Sequence, residues 1–317
     1  MARPPGTGTM RRRRTDPLRA LLLIALAMVP GCAPGEGSTP DLVWGIHGRK
    51  PGWLVKPRAA VFDKDDNLYL VDLTDRVQVF DRGGKYLRGW RMPDFNVDGP
   101  SGVSIDRRGR LLVADTHFYR VLVFSPEGKI LLQIGDGVQG TTPGRFGYPC
   151  DVVCDRAGNF YVADYGENDR IQVFSPEGKW LRQWGGHGYE PGQFVRPRAL
   201  AIDDRDRIYV ADSVANRIQV FDTGGKLLDL WGTRGDGPGE LAYPYDVAIG
   251  PDGSVYVCEY GNHRVQKFTP EGRSLGIWGE SGRGPGQLYN PWALAVDSRG
   301  EVSVVDSNNH RVQRFRM

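Results

Sequence analysis

Cysteine is scarce in this chain: four in 317 residues. Cys150 and Cys154 fall four residues apart in one predicted strand, roughly 13 Å at about 3.3 Å per residue, beyond the reach of a disulfide. No CxxC pair occurs, so a structural zinc site lacks ligands at the usual spacing. Histidine is equally thin, with five. There is no HExxH helix, no glycine-rich phosphate loop and no nucleophile elbow, and no Ser–His–Asp set can be assembled from sequence. The longest apolar run, Ala20–Val29, is too short to span a bilayer as a helix. Packing must therefore hold the fold, and any site must be gathered from distant loops.

What the chain does have is glycine, 43 of them, and 22 prolines, recurring at fixed offsets among Val, Ile and aromatic runs. That is the pattern of many short strands joined by tight turns. A stretch such as "ADYGENDRIQVF" at 163 has the look of a polar active site until its copies are set beside it: "VDLTDRVQVF", "ADTHFYRVLVF", "ADSVANRIQVF", "CEYGNHRVQKF" and "VDSNNHRVQRF". The arginines concerned (Arg76, Arg120, Arg170, Arg217, Arg264, Arg311) are spaced 44, 50, 47, 47 and 47 residues. Such a period, with several apolar runs per unit, predicts propeller blades. The fourth unit parses as strands Arg198–Ile202, Ile208–Ala211, Arg217–Phe221 and Leu227–Trp231. After the sixth unit the chain stops one strand short, and "DLVWGIHG" at 41 supplies the missing strand. The expected fold is all-β: a six-bladed β-propeller of four-stranded antiparallel blades over 42–317, closed by the N-terminal strand completing the last blade.

The repeat, Pro-x-x-[VIL]-x-[VI]-Asp, [IVL]-Tyr-Val-x-Asp, Asn-x-Arg-[VI]-Gln-x-Phe, resembles the NHL repeat, best in copies four to six. Copy two departs: "RMPDFNVDGP" lacks the Pro-Gly-x-[FL] element of "YEPGQF", "DGPGEL" and "RGPGQL", and "THFYR" replaces the usual Asn. Some NHL-like propellers resemble the peptidyl-hydroxyglycine amidating lyase, and that resemblance implies a metal held by channel-facing histidines. Here the corresponding ring is Arg58, Ser101, Cys150, Arg198, Tyr245 and Trp292, and the histidines (His47, His117, His187, His263, His310) fall in loops. A metal-dependent lyase or hydrolase is thus the alternative reading. RNA binding and ubiquitin ligation, known in animal NHL proteins, are disfavoured by export, charge and the absence of a Cys/His-rich module.

The N-terminus reads separately. Basic residues from Arg11 to Arg19, the apolar run and "VPGC" resemble a bacterial lipoprotein signal. The expectation is a signal over 1–31, a lipidated Cys32 and a flexible tether to residue 41, giving an exported, membrane-anchored protein of a bacterial cell envelope. Removing the signal's six arginines and one aspartate from 41 basic and 38 acidic residues leaves 35 against 37, so the mature chain has no global pull on nucleic acid.

Repetition sorts the candidates. The acids ending each second strand (Asp72, Asp115, Asp164, Asp212, Glu259, Asp306), each four to six residues before its arginine, are expected to pair structurally across a hairpin. The strand-end tryptophans Trp44, Trp90, Trp184, Trp231 and Trp278 are expected to pack between blades. Positions that vary at the channel mouth are the candidate site: Arg58 facing Arg198, Tyr245 beside Trp292, and Asp151 and Asp246 adjacent, suited to an anionic or ring-bearing ligand or a peptide. Phe95, His117, Phe118 and Tyr119 form a second irregular patch, a candidate partner contact. The expected role is a monomeric, non-catalytic binding or scaffold module for an envelope protein, peptide or small anion. No catalytic residue, cofactor, metal or nucleic acid is assigned, and the lipid is its one membrane contact.

Overall fold

The computed structural model describes residues 39–95 and 98–317; Cys32 and the expected signal lie outside the described residues. Among the described residues, twenty-four strands form six four-stranded antiparallel sheets. The fourth unit shows how the sequence dictates a blade. Its strands are Pro197–Ile202, Ile208–Asp212, Arg217–Phe221 and Leu227–Trp231, within a residue of the pattern-derived limits. β-Branched and aromatic runs fill the two central strands, which are buried throughout. The outer strand is partly exposed, with Leu228 and Asp229 on the surface, and ends on the buried Trp231.

The ring closes as expected. Leu42–Trp44 pairs antiparallel with Arg311–Arg316, matching Leu42 to Arg314 and Trp44 to Val312, and completes the sixth blade. The closing seam is reinforced at the turns, where Arg82 of blade 1 pairs with Asp297 and Glu301 of blade 6.

The hydrophobic core is six cores, one at each boundary between neighbouring blades. The strand-end tryptophans are the mortar: each lies against the last Phe of the next blade's third strand. Trp44 meets Phe80 at 4.5 Å, Trp231 meets Phe268 at 4.8 Å, and Trp278 stacks on Phe315 at 3.6 Å. Such pairs add roughly 0.5–1.5 kcal/mol each beyond area burial. The glycine of the facing turn is set by the same contact. Gly225 lies at φ +89, and a Cβ there would stand 2.8 Å from the Trp184 ring.

Inner strands Pro57–Phe62, Gly102–Ile105, Tyr148–Cys154, Pro197–Ile202, Pro244–Ile249 and Ala293–Val296 line a central channel. Their starts, the hairpin turns between second and third strands, and the loops linking blades all lie at one end of it, which follows from the antiparallel registers Pro197↔Asp212 and Arg170↔Gly185.

Candidate functional site

The repeated acid–arginine pairs are structural clamps. In blade 4, Arg217 Nε donates to Asp212 at 2.8 Å, and its terminal nitrogens donate to the carbonyls of Tyr189, Glu190 and Gln193. Asp212 also accepts the Val195 amide, and Gln219 bonds the Gln193 carbonyl. The charged pair thus ties the linking loop to the blade. The same set recurs around Arg264 and Arg311. Blade 2 differs: Arg120 divides itself between Asp115 and Asp94, and Leu122 stands where the other blades have Gln.

At the mouth the side chains do what the clamps do not. Four inner strands carry a β-bulge after their leading proline, and Arg58, Cys150, Arg198 and Tyr245 are the extra residues. A bulge re-aims a side chain. Arg58 and Arg198 both turn onto Trp292, at 4.7 and 5.1 Å, and Arg198 also lies 5.4 Å from the Tyr245 ring, which stands edge-on to Trp292 at 5.7 Å. The two guanidiniums therefore converge on one indole instead of merely facing each other. Cys150 leaves the ring altogether. It is fully buried, its thiol donating to the Pro197 carbonyl at 2.9 Å, and Asp151 takes the channel-facing place. Ser101 is spent on Thr116 and the Cys150 carbonyl.

The cavity so formed, about 310 Å³, also holds Asp151 and Asp246. They play one role twice: each accepts the amide of its following residue and one amide from the next blade, Leu200 for Asp151 and Leu294 for Asp246. Blade 2 has Gly102 here, because a Cβ would stand 2.5 Å from Asp151 Oδ1. Burial pushes the Asp151 carboxyl up to about 7, and raises Asp246 well above the usual range with the charge of Asp151 adding to it.

The two arginines are not equivalent. Arg58 pairs with Asp98 at 3.1 Å and donates to the Gly99 carbonyl; burial, against the pull of Asp98, lowers its pKa, and Arg198's charge lowers it further. Arg198 is 7% exposed, and among the described residues its guanidinium donates no hydrogen bond and makes no ion pair; its Nε is buried without an acceptor. The guanidinium is thus left free to donate to an incoming acceptor.

The histidines fit no metal. His263 Nδ1 accepts the Asn290 amide and His310 Nδ1 the Lys56 amide, as Asn216 accepts that of Tyr243, so this turn position clips successive blades together. Burial lowers the pKa of both rings, which keeps the accepting nitrogen bare. His47 stacks on His310, and His187 bonds Asp169. Among the described residues no three His, Cys, Asp or Glu side chains are grouped to hold a metal ion. Of the second patch, Phe118 lies under Arg120 and Phe95 under Arg91, while His117 and Tyr119 pack on Tyr148. Phe95 is its exposed member.

Fold and mouth together define a six-bladed propeller whose clamps repeat and whose channel entrance does not. The chain carries NHL repeats: residues 194–221, 241–268 and 288–315, one stretch in each of blades 4 to 6, match the NHL repeat family model. It is 32% identical over 181 residues to peptidylglycine alpha-amidating monooxygenase of Rattus norvegicus, covering 54% of this chain and 18% of that protein. It is 34% identical over 122 residues to human NHL repeat-containing protein 3, covering 37% and 34%. The chain thus spans about a fifth to a third of these relatives. Among solved structures, a streptogramin B lyase superposes with TM-score 0.60 at 11% identity, covering 86% of this chain and 96% of that one. A gluconolactonase of Xanthomonas campestris gives 0.61 at 16%, covering 83% and 86%. At such identities these structures speak for the fold alone.

Proposed function

We propose that the channel mouth binds the carboxylate of a peptide-like or aromatic acyl ligand, and that the protein acts as a non-catalytic binding module. One observation carries this reading: Arg198, buried, cationic and without a hydrogen-bond partner among the described residues, aimed into a 310 Å³ cavity. A carboxylate matches a guanidinium geometrically, and Trp292 and Tyr245 offer faces for a flat group. The stretch similar to a protein named for peptidylglycine supports the same ligand class. On the strength of the basic run, apolar run and "VPGC", the module is held at a cell-envelope membrane through Cys32.

Hippurate, an aromatic acyl glycine, tests it. Trp292 fluorescence should titrate with hippurate in the wild type and not with its amide, and Arg198→Met should weaken binding by at least about tenfold at unchanged melting temperature. Equal binding by Arg198→Met would contradict the reading.

A further inference from the structure

Blade 4 opens on Arg196-Pro197-Arg198, and its two arginines go to different neighbours. Arg198, on the bulge, lies over Tyr245 of blade 5 and Trp292 of blade 6. Arg196 precedes the proline at φ +66, in the left-handed region that favours glycine. Lys56, Tyr243 and Asn290 hold the same conformation at the same place in blades 1, 5 and 6, so the backbone belongs to the repeat and the side chain to the blade. Elsewhere a turn residue of the preceding blade (His310, Asn216 or His263) clips the amide at this position. The turn residue facing Arg196 is Asp169, which holds the Gly166 amide and His187 instead.

The half-buried Arg196 guanidinium lies 5.0 Å over the Tyr165 ring of blade 3. Burial raises the pKa of the Tyr165 hydroxyl, and the charges of Arg196 and Arg198 both oppose it, so one phenol feels both cations. Tyr165 stacks on Tyr148 at 5.3 Å and Tyr245 on Tyr260 at 4.4 Å, which backs each arginine with a pair of rings. Among the described residues Arg196 makes no ion pair, and its Nε is buried without an acceptor. The hairpin acids of the same blades are taken, Asp164 by Arg170 and Asp212 by Arg217. Two guanidiniums without counter-charges, seated on rings of different blades and separated by one proline, suit two anionic groups on one ligand better than a single anion that both would share.

We propose, resting on the carboxylate reading of Arg198, that the ligand of the mouth is a dicarboxylate: one carboxylate at Arg198 and a second, of the kind an acidic side chain supplies, at Arg196. The probe is N-benzoylglutamate, with N-benzoylglutamine as its isostere lacking the second charge, followed by isothermal titration calorimetry. The wild type should bind the glutamate compound at least about tenfold tighter than the glutamine compound. Arg196→Gln, folded by melting temperature, should erase that preference and keep the wild-type affinity for the glutamine compound, whereas Arg198→Met should weaken both. Equal affinity for the two compounds in the wild type, or a preference that survives Arg196→Gln, would overturn the second anion site and leave the site at Arg198 standing. Absence of binding by both compounds would overturn the two together.

Discussion

Blade 4 holds two buried arginines nineteen residues apart, and they are opposites. Arg217, 8% exposed, spends its guanidinium on Asp212 and three loop carbonyls; Arg198, 7% exposed, lies over the Trp292 and Tyr245 rings and donates no hydrogen bond among the described residues. Equal burial with opposite satisfaction separates a residue that holds the fold from one that the proposed function reserves for a ligand. The first recurs in every blade and the second does not.

Mutation should widen that contrast. Arg217→Met leaves Asp212 buried without its counter-charge and should cost about 3–5 kcal/mol in urea denaturation. Trp231→Ala, in a blade boundary, should cost a similar roughly 3–5 kcal/mol by the same measurement, whereas Trp292→Ala, at the half-buried mouth, should cost about 1 kcal/mol. The carboxylates under Arg198 give a pH signature. Asp151 titrates near 7 in the fold and near 4 unfolded, so its contribution is complete below about pH 4 and is lost as pH rises through 7. Between pH 6 and 8 that amounts to about 1 kcal/mol, or a melting temperature roughly 2 °C higher at pH 6, and Asp151→Asn should flatten the difference. Smallest of all, Arg198→Met should change stability by no more than about 0.5 kcal/mol. A loss near that of Arg217→Met would erase the comparison.

The fold was legible because its signals repeat. Blade period, hairpin acids, strand-end tryptophans and the closing strand "DLVW" each follow from residue type and spacing. The mouth was legible in membership but not in geometry. Arg58, Arg198, Tyr245, Trp292, Asp151 and Asp246 do line one cavity, yet the bulges that swing both arginines onto Trp292 and withdraw Cys150 depend on inter-strand register, which sequence pattern does not encode. Nor could pattern reveal that Arg58 is neutralised by Asp98, a contact across forty residues of chain.

The most direct measurement is a crystal structure with 4-iodohippurate, collected for iodine anomalous scattering. The account predicts one strong iodine peak at the mouth beside Trp292 or Tyr245, with the carboxylate within hydrogen-bond distance of Arg198. A ligand seated elsewhere, with Arg198 still unpartnered, would contradict it.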